Sequence, residues 1–231
     1  KKCPLSNPNC GRGRYLSDYD AICIDSEIPM QKPFDKMREL VLEYPISEAE
    51  EEKDNTYLSY NKVIGTSLDR ELYLAFQILD YALLSAPGAP LKKELVDAGI
   101  GKDIMGSYDN GIYQPIFSVV AKNANEEQKT AFVDVIEGTL KKSVASGIDP
   151  KALEAGIHYH EFRYREADFG SFPKGLEYGL QIFDSWLYDE ETPFLHLDAL
   201  ATYDFLKTQI DTGYFEELIQ TYILDNTHGA L

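Results

Sequence analysis

Residues Asp103–Ala121 read DIMGSYDNGIYQPIFSVVA, and the fold turns on how this stretch is interpreted. Two runs, Asp103–Tyr108 and Ile112–Ala121, carry the β-branched and aromatic residues of strands. Asp109-Asn110-Gly111 between them suits positive φ, so the stretch predicts a hairpin. Working toward the N-terminus, Thr56–Ile64 predicts another strand, with Leu58, Tyr60 and Ile64 alternating with Ser59, Asn61 and Val63. Arg38–Tyr44 is rich in Leu and Val, and Pro45 confines it to a sheet edge or ends it. Glu48–Asp54 is an acidic run expected in a solvated loop. A helix is predicted between these strands, with Ser67 as a possible cap and Asp69 and Glu71 near its positive end. Its residues Leu68, Leu72, Phe76, Leu79 and Leu83 share one face. Pro87-Gly88-Ala89-Pro90 stops it, and a shorter helix restarts at Pro90 and ends at Gly99-Ile100-Gly101.

Toward the C-terminus everything after Asn125 reads as helix. Phe132, Val135, Ile136, Leu140 and Val144 form one stripe. Asp149-Pro150 supplies a cap and a first-turn proline for a helix over about Pro150–Ala167. Leu176, Leu180, Phe183 and Leu187 form another stripe, and helices over Phe194–Ile210 and Tyr214–Leu224 follow. Strands therefore cluster early and helices late. That segregation predicts an α+β class, a mainly antiparallel sheet with helices packed on one face, rather than a doubly wound parallel sheet.

Composition narrows the function. The chain has 231 residues, 44% apolar and 26% charged, enough for a single core to bury roughly 70–75% of the unfolded surface. Its 39 acidic against 22 basic side chains give a net charge of −17, which repels phosphate backbones, so no nucleic acid is expected as a partner. No apolar run approaches the roughly 20 residues a bilayer core requires, so no membrane partner is expected either. Cys3, Cys10 and Cys23 are odd in number and crowd the first tenth of the chain, which suggests a reducing compartment rather than a disulfide framework. The N-terminus, Lys1–Arg14, has no secretory-signal pattern and reads as cut. Cys3 to Gln31 reads as a tail followed by a linker.

Candidate chemistry is sparse. His158-Tyr159-His160-Glu161 is the densest ligand set. On a helix His158 and Glu161 share a face while His160 points roughly 200° away from His158. No two histidines are four apart, as the helical metallopeptidase arrangement needs, and His196 and His228 stand alone. Gly65–Ser67 is not a nucleophile elbow, and Gly99-Ile100-Gly101 lacks the third glycine of a dinucleotide loop. Glu161, Arg163, Arg165 and Glu166 read as exposed ion pairs.

A series of short stretches nevertheless resembles one family. They are Asp25-Ser26-Glu27-Ile28 with Gln31-Lys32-Pro33-Phe34, Tyr44-Pro45-Ile46, Thr56-Tyr57-Leu58-Ser59-Tyr60-Asn61, and Pro87-Gly88-Ala89-Pro90-Leu91-Lys92. Asp97-Ala98-Gly99-Ile100-Gly101, Arg165-Glu166-Ala167-Asp168-Phe169-Gly170 and Asp184-Ser185-Trp186-Leu187 complete it. Over about Tyr15 to Leu231 their order and spacing resemble the presequence-protease branch of the pitrilysin/insulysin zinc metallopeptidases. The resemblance implies a clamshell peptidase of four related α+β units with its zinc motif in the first. This chain is similar to the second, a processing-peptidase-like metallohydrolase domain without catalytic residues. Residues 1–32 would be the end of the preceding unit and its linker, with Tyr15–Asp20 similar to that end. Residues 33–231 would be the non-catalytic domain, lacking a last strand that follows the position of Leu231 in the family.

The resemblance further implies that zinc is bound outside this segment and that none is bound by it. Unstructured peptides, cationic ones given the acidic excess, and other domains of the same polypeptide are the partners implied. By comparison with relatives, strand addition at the sheet edge would fall at Ile104, Met105, Gly106 and Ser107. Gly106 reads equally as an ordinary bulge or twist. A cytoplasmic location is implied for a bacterial chain and an organellar matrix for a eukaryotic one. Two alternatives stay open, a free-standing module that binds peptides or a partner without cleaving them, and a small hydrolase with its own metal at His158, His160 or Glu161.

Overall fold

Alternation governs the sheet. In Thr56–Val63 (β1) Leu58, Tyr60 and Lys62 are buried while their neighbours are more exposed. In Ile116–Ala124 (β3) Phe117, Val119, Ala121 and Ala124 are buried. In the computed structural model, which describes residues 25–48, 51–167 and 169–231, these strands pair antiparallel with Tyr60 opposite Val119. Asp103–Asp109 (β2) pairs with the other side of β3, Ile104 opposite Ala121, and Gly229–Ala230 (β4) pairs with the other side of β1. The order is β2-β3-β1-β4, antiparallel throughout. Expectations for Cys3, Cys10, Cys23 and Tyr15–Asp20 lie outside the described residues.

The hairpin is present, but its second strand starts at Ile116 rather than Ile112. The intervening backbone is committed elsewhere. Ile64 N donates to Pro115 O at 2.7 Å, Ser67 N donates to Tyr113 O at 2.8 Å, and the Tyr113 ring stacks on Tyr188 at 4.5 Å. Residues 110–115 thus form a loop that ties the hairpin to the start of the first helix. The reading of everything after Asn125 as helix also fails at β4, where only glycine fits. A Cβ on Gly229 would sit 2.3 Å from Asn61 O. Beyond β4, Arg38 runs parallel to Ala230. Arg38 N donates to Gly229 O, Leu40 N to Leu231 O and Leu231 N to Arg38 O, each at 2.8 or 2.9 Å. Arg38–Leu40 is therefore an edge segment, as Pro45 downstream suggested.

The first helix, Arg70–Asp80 (α1), begins two residues later than Ser67 would cap it. Asp69 is the cap, its carboxylate accepting from Glu71 N at 3.1 Å and Leu72 N at 3.0 Å, and Ser67 is buried. Leu72, Phe76 and Leu79 are buried as the spacing predicts, but so are Tyr73, Leu74 and Ile78. The helix lies between the sheet on one side and later helices on the other. It continues into a wide π-type turn, Tyr81–Ser85, closed by Ala86 N donating to Tyr81 O at 2.7 Å. Pro90–Asp97 (α2), Lys129–Ser146 (α3), Pro150–Glu166 (α4, capped by Asp149), Lys174–Trp186 (α5), Leu200–Thr208 (α6) and Tyr214–Ile219 (α7) complete the helical side. They pack on one face of the sheet, the layering that segregated strands and helices require.

One predicted helix is interrupted. Leu195–Leu197 makes a single tight turn and Asp198 leaves helical space at φ −115, ψ 76, before α6 begins. His196 is buried there, stacked on Tyr73 at 3.7 Å. The Tyr164 hydroxyl mends the break, donating to Leu197 O at 2.6 Å and accepting from Ala199 N at 3.4 Å.

Candidate functional site

The residues expected to dock peptides lie on β2, an edge strand with β3 on one side and, among the described residues, no strand on the other. They divide by parity. Ile104 is 2% exposed and, like Gly106, faces the helices, whereas Met105 is 43% exposed and Ser107 is exposed on the open face. The pairing register runs unbroken from Asp103 to Asp109, so no bulge sits at Gly106. Its glycine answers to close approach instead. A Cβ there would meet Leu84 Cδ1 at 2.5 Å and Asp80 Oδ1 at 2.9 Å, because the wide turn after α1 presses against the strand.

Asp80 lies behind Gly106, with one carboxylate oxygen buried and unpartnered. Burial pushes its pKa up to about 6, and the Ser85 hydroxyl at 3.5 Å counters only weakly. Exposed Asp103 and Asp109 end the strand. On the open face Asn61 Oδ1 accepts from Ser59 Oγ at 3.1 Å and Ser118 Oγ at 2.7 Å. The open side of the sheet thus carries a hydrogen-bonded polar patch next to Met105 and Val120.

A second feature, invisible in the sequence, is a cavity of about 190 Å³ between α1, α4, α5 and α6, lined by Tyr73, Gln77, His160, Arg163, Tyr178 and Tyr203 among others. Burial, with Arg163 nearby, lowers His160 to about 4. The Tyr73 hydroxyl donates to Asp184 Oδ2 at 2.8 Å. Burial raises Asp184 to about 6 against that hydrogen bond, with Asp109 adding to the rise. His196 falls to about 4, chiefly through burial. The cluster is a desolvated polar seam between the body and α5.

The metal reading of His158, His160 and Glu161 fails on donor chemistry. His158 is exposed, His160 faces the cavity, and buried Glu161 is already claimed by two cations. Its Oε1 accepts from Arg165 Nε at 2.9 Å and Nη2 at 2.6 Å, and its Oε2 lies 2.8 Å from Lys207 Nζ. Burial alone would raise the carboxyl, but the bonds from Lys207 and Arg165 hold it below the usual range. Among the described residues no group of three or more His, Cys, Asp or Glu is placed to hold a metal ion. Nor do the expected ion pairs all lie on the surface. Glu161 is a buried tie between α4 and α6, and Lys207, 46 residues away, gave no local signal. Asp80 could have been found, since a carboxylate beside Leu79 on a helix buried on both sides has no dry partner.

Comparison with known proteins bears on the whole arrangement. The sequence profile of the family described as Peptidase M16 inactive domain matches residues 14–158. Protein HypA of Clostridium perfringens is 44% identical over 217 residues, covering 94% of this chain and 22% of that protein. Presequence protease 1 of Arabidopsis thaliana, chloroplastic/mitochondrial, is 34% identical over 209 residues, covering 88% and 19%. The chain spans about a fifth of the length of these relatives. Among solved structures, a protease from Helicobacter pylori superposes with a TM-score of 0.62 at 15% identity, covering 91% of this chain and 47% of that one. The inactive peptidase domain of a candidate zinc protease from Bordetella parapertussis gives 0.57 at 9% identity, covering 75% and 89%. These two likenesses show the fold alone. No helix among the described residues is long and apolar enough to cross a membrane.

Proposed function

From the premise that the chain belongs to the peptidase M16 family as an inactive domain, we propose that it forms part of the wall of a peptide-degrading chamber and offers the outer edge of β2 to extended peptides. Residues 33–231 would be that non-catalytic unit, following the end of a catalytic one. M16 peptidases are zinc-dependent as a family, and the donors described above do not fit zinc. On this reading the metal and its chemistry are supplied by another unit of a longer polypeptide.

The observation that carries this reading is the edge of β2, which pairs with no strand among the described residues and lies beside a hydrogen-bonded polar patch on the sheet. Backbone N–H and C=O groups along such an edge capture an extended chain with little regard to its sequence. Of the four docking residues, Met105 and Ser107 would touch a peptide through side chains, while Ile104 and Gly106 would offer backbone alone. Asp103 and Asp109 at the strand ends, within a chain of net charge −17, favour cationic peptides. The Arabidopsis relative's organelles and the bacterial origin of HypA support an organellar matrix or a cytosol as the compartment.

A fluorescent, unstructured, cationic peptide tests the docking in the full-length polypeptide that contains this chain. N-methylation of alternate peptide backbone nitrogens is expected to weaken binding at least tenfold, and sequence scrambling to leave it nearly unchanged. The opposite pattern would remove strand addition as the mode. Purified alone, the chain is expected to show no chelator-sensitive hydrolysis of a quenched peptide.

A further inference from the structure

Helix α5 is mounted with its faces reversed. Its residues Tyr178, Gln181 and Asp184 turn toward the body, into the cavity and onto Tyr73, and Ser185 is the buried residue of the helix, its hydroxyl donating to Thr192 O at 2.8 Å. The apolar stripe points the other way. Leu180 is 51% exposed, Phe183 44%, Trp186 48% and Leu187 59%, with Leu176 beside them, and the Phe183 and Trp186 rings stack on each other at 6.0 Å. At roughly 100 Å² apiece these five leave on the order of 500 Å² of apolar surface on one helix face. That is at the upper end of what a monomer leaves bare and well over half of one partner's share of a standard interface.

We infer that this face is the seat of another unit of the same longer polypeptide, one that presents an apolar surface with a basic rim. Two observations choose this occupant. The relatives are about five times as long as the span this chain matches, so a tethered neighbour is at hand at high effective concentration. Charge disfavours a second copy, which would bring −17 against −17, and the helix itself carries Glu177 next to Leu176, while Lys174 at its start already donates to Glu166 O. The inference rests on reading the chain as one unit of a longer polypeptide, but not on docking at β2.

Site-specific photocrosslinking tests it in the full-length polypeptide. Leu180 and, separately, Leu187 are replaced by benzoylphenylalanine, with exposed Glu154 on α4 as the control position. The expected result is an adduct within one polypeptide, insensitive to dilution, mapping outside Lys1–Leu231 and several-fold stronger than at Glu154. A covalent dimer would make the occupant a second copy and overturn the inference. Capture of an added cationic peptide in place of the intramolecular adduct would also overturn it, as would yields at both positions no higher than at Glu154. Binding of the N-methylated peptides reads the β2 edge separately, so each proposal can fail alone.

Discussion

Helices α1 and α5 carry the same kind of message in sequence and meet opposite fates. Leu72, Phe76, Leu79 and Leu83 recur at three- and four-residue intervals, as do Leu176, Leu180, Phe183 and Leu187. The first set is buried, with Phe76 and Leu79 fully so, and the second stands half in solvent. Periodicity therefore reports that a helix has a face in need of a cover. It does not report whether that cover belongs to the same domain.

The contrast can be broken most easily at its strongest point. Phe76→Ala is expected to cost about 3–5 kcal/mol and Phe183→Ala within about 0.5 kcal/mol, measured by denaturant unfolding of the chain. Similar losses at both sites would erase the distinction. Gly106→Val tests the turn that extends α1 against β2. With Leu84 2.5 Å from the new Cβ, a loss of about 1–3 kcal/mol is expected, and no loss would mean that the turn yields freely.

Asp80, the last residue of α1, sharpens the comparison through pH. Its carboxyl titrates near 6 in the folded chain against 3.8 ordinarily. Below pH 3.8 both states hold the proton; folded stability falls as pH rises from 3.8 to about 6, where only the unfolded chain has ionised, and levels off above that. Asp80→Asn is then expected to stabilise by roughly 1–2 kcal/mol above pH 7 and by almost nothing below pH 4, read from unfolding midpoints across pH. Smallest in stability is Leu180→Ser on α5, within about 0.5 kcal/mol, yet it is expected to reduce binding of a hydrophobic dye to the isolated chain.

The legible parts of the fold were those decided by local pattern. Alternation in Leu58 and Tyr60 gave β1, and Asp149-Pro150 gave the start of α4 to the residue. Ser67 reads as a cap because its hydroxyl could accept from the amides two or three residues on, but its own N–H is committed to Tyr113 O and the helix starts after Asp69, which takes the Glu71 and Leu72 amides instead. Phe194–Ile210 keeps its helical period through a break that is held by the distant Tyr164 hydroxyl and by the His196 stack on Tyr73. At the candidate site, strand β2 is readable from its pattern, but its edge position comes only from the family resemblance, since edges depend on strand order. The cavity and the Glu161–Lys207 tie depend on helices meeting across long loops.

The parallel alignment of Arg38–Leu40 with Gly229–Leu231 has a mechanical consequence. Tension drawn backward on the first segment and forward on the last loads their three backbone hydrogen bonds in shear, so the bonds resist together instead of unzipping in turn. Arg38–Leu40 and Gly229–Leu231 are thereby riveted side by side, and a force pulling these two segments apart meets this seam before it reaches the apolar interior.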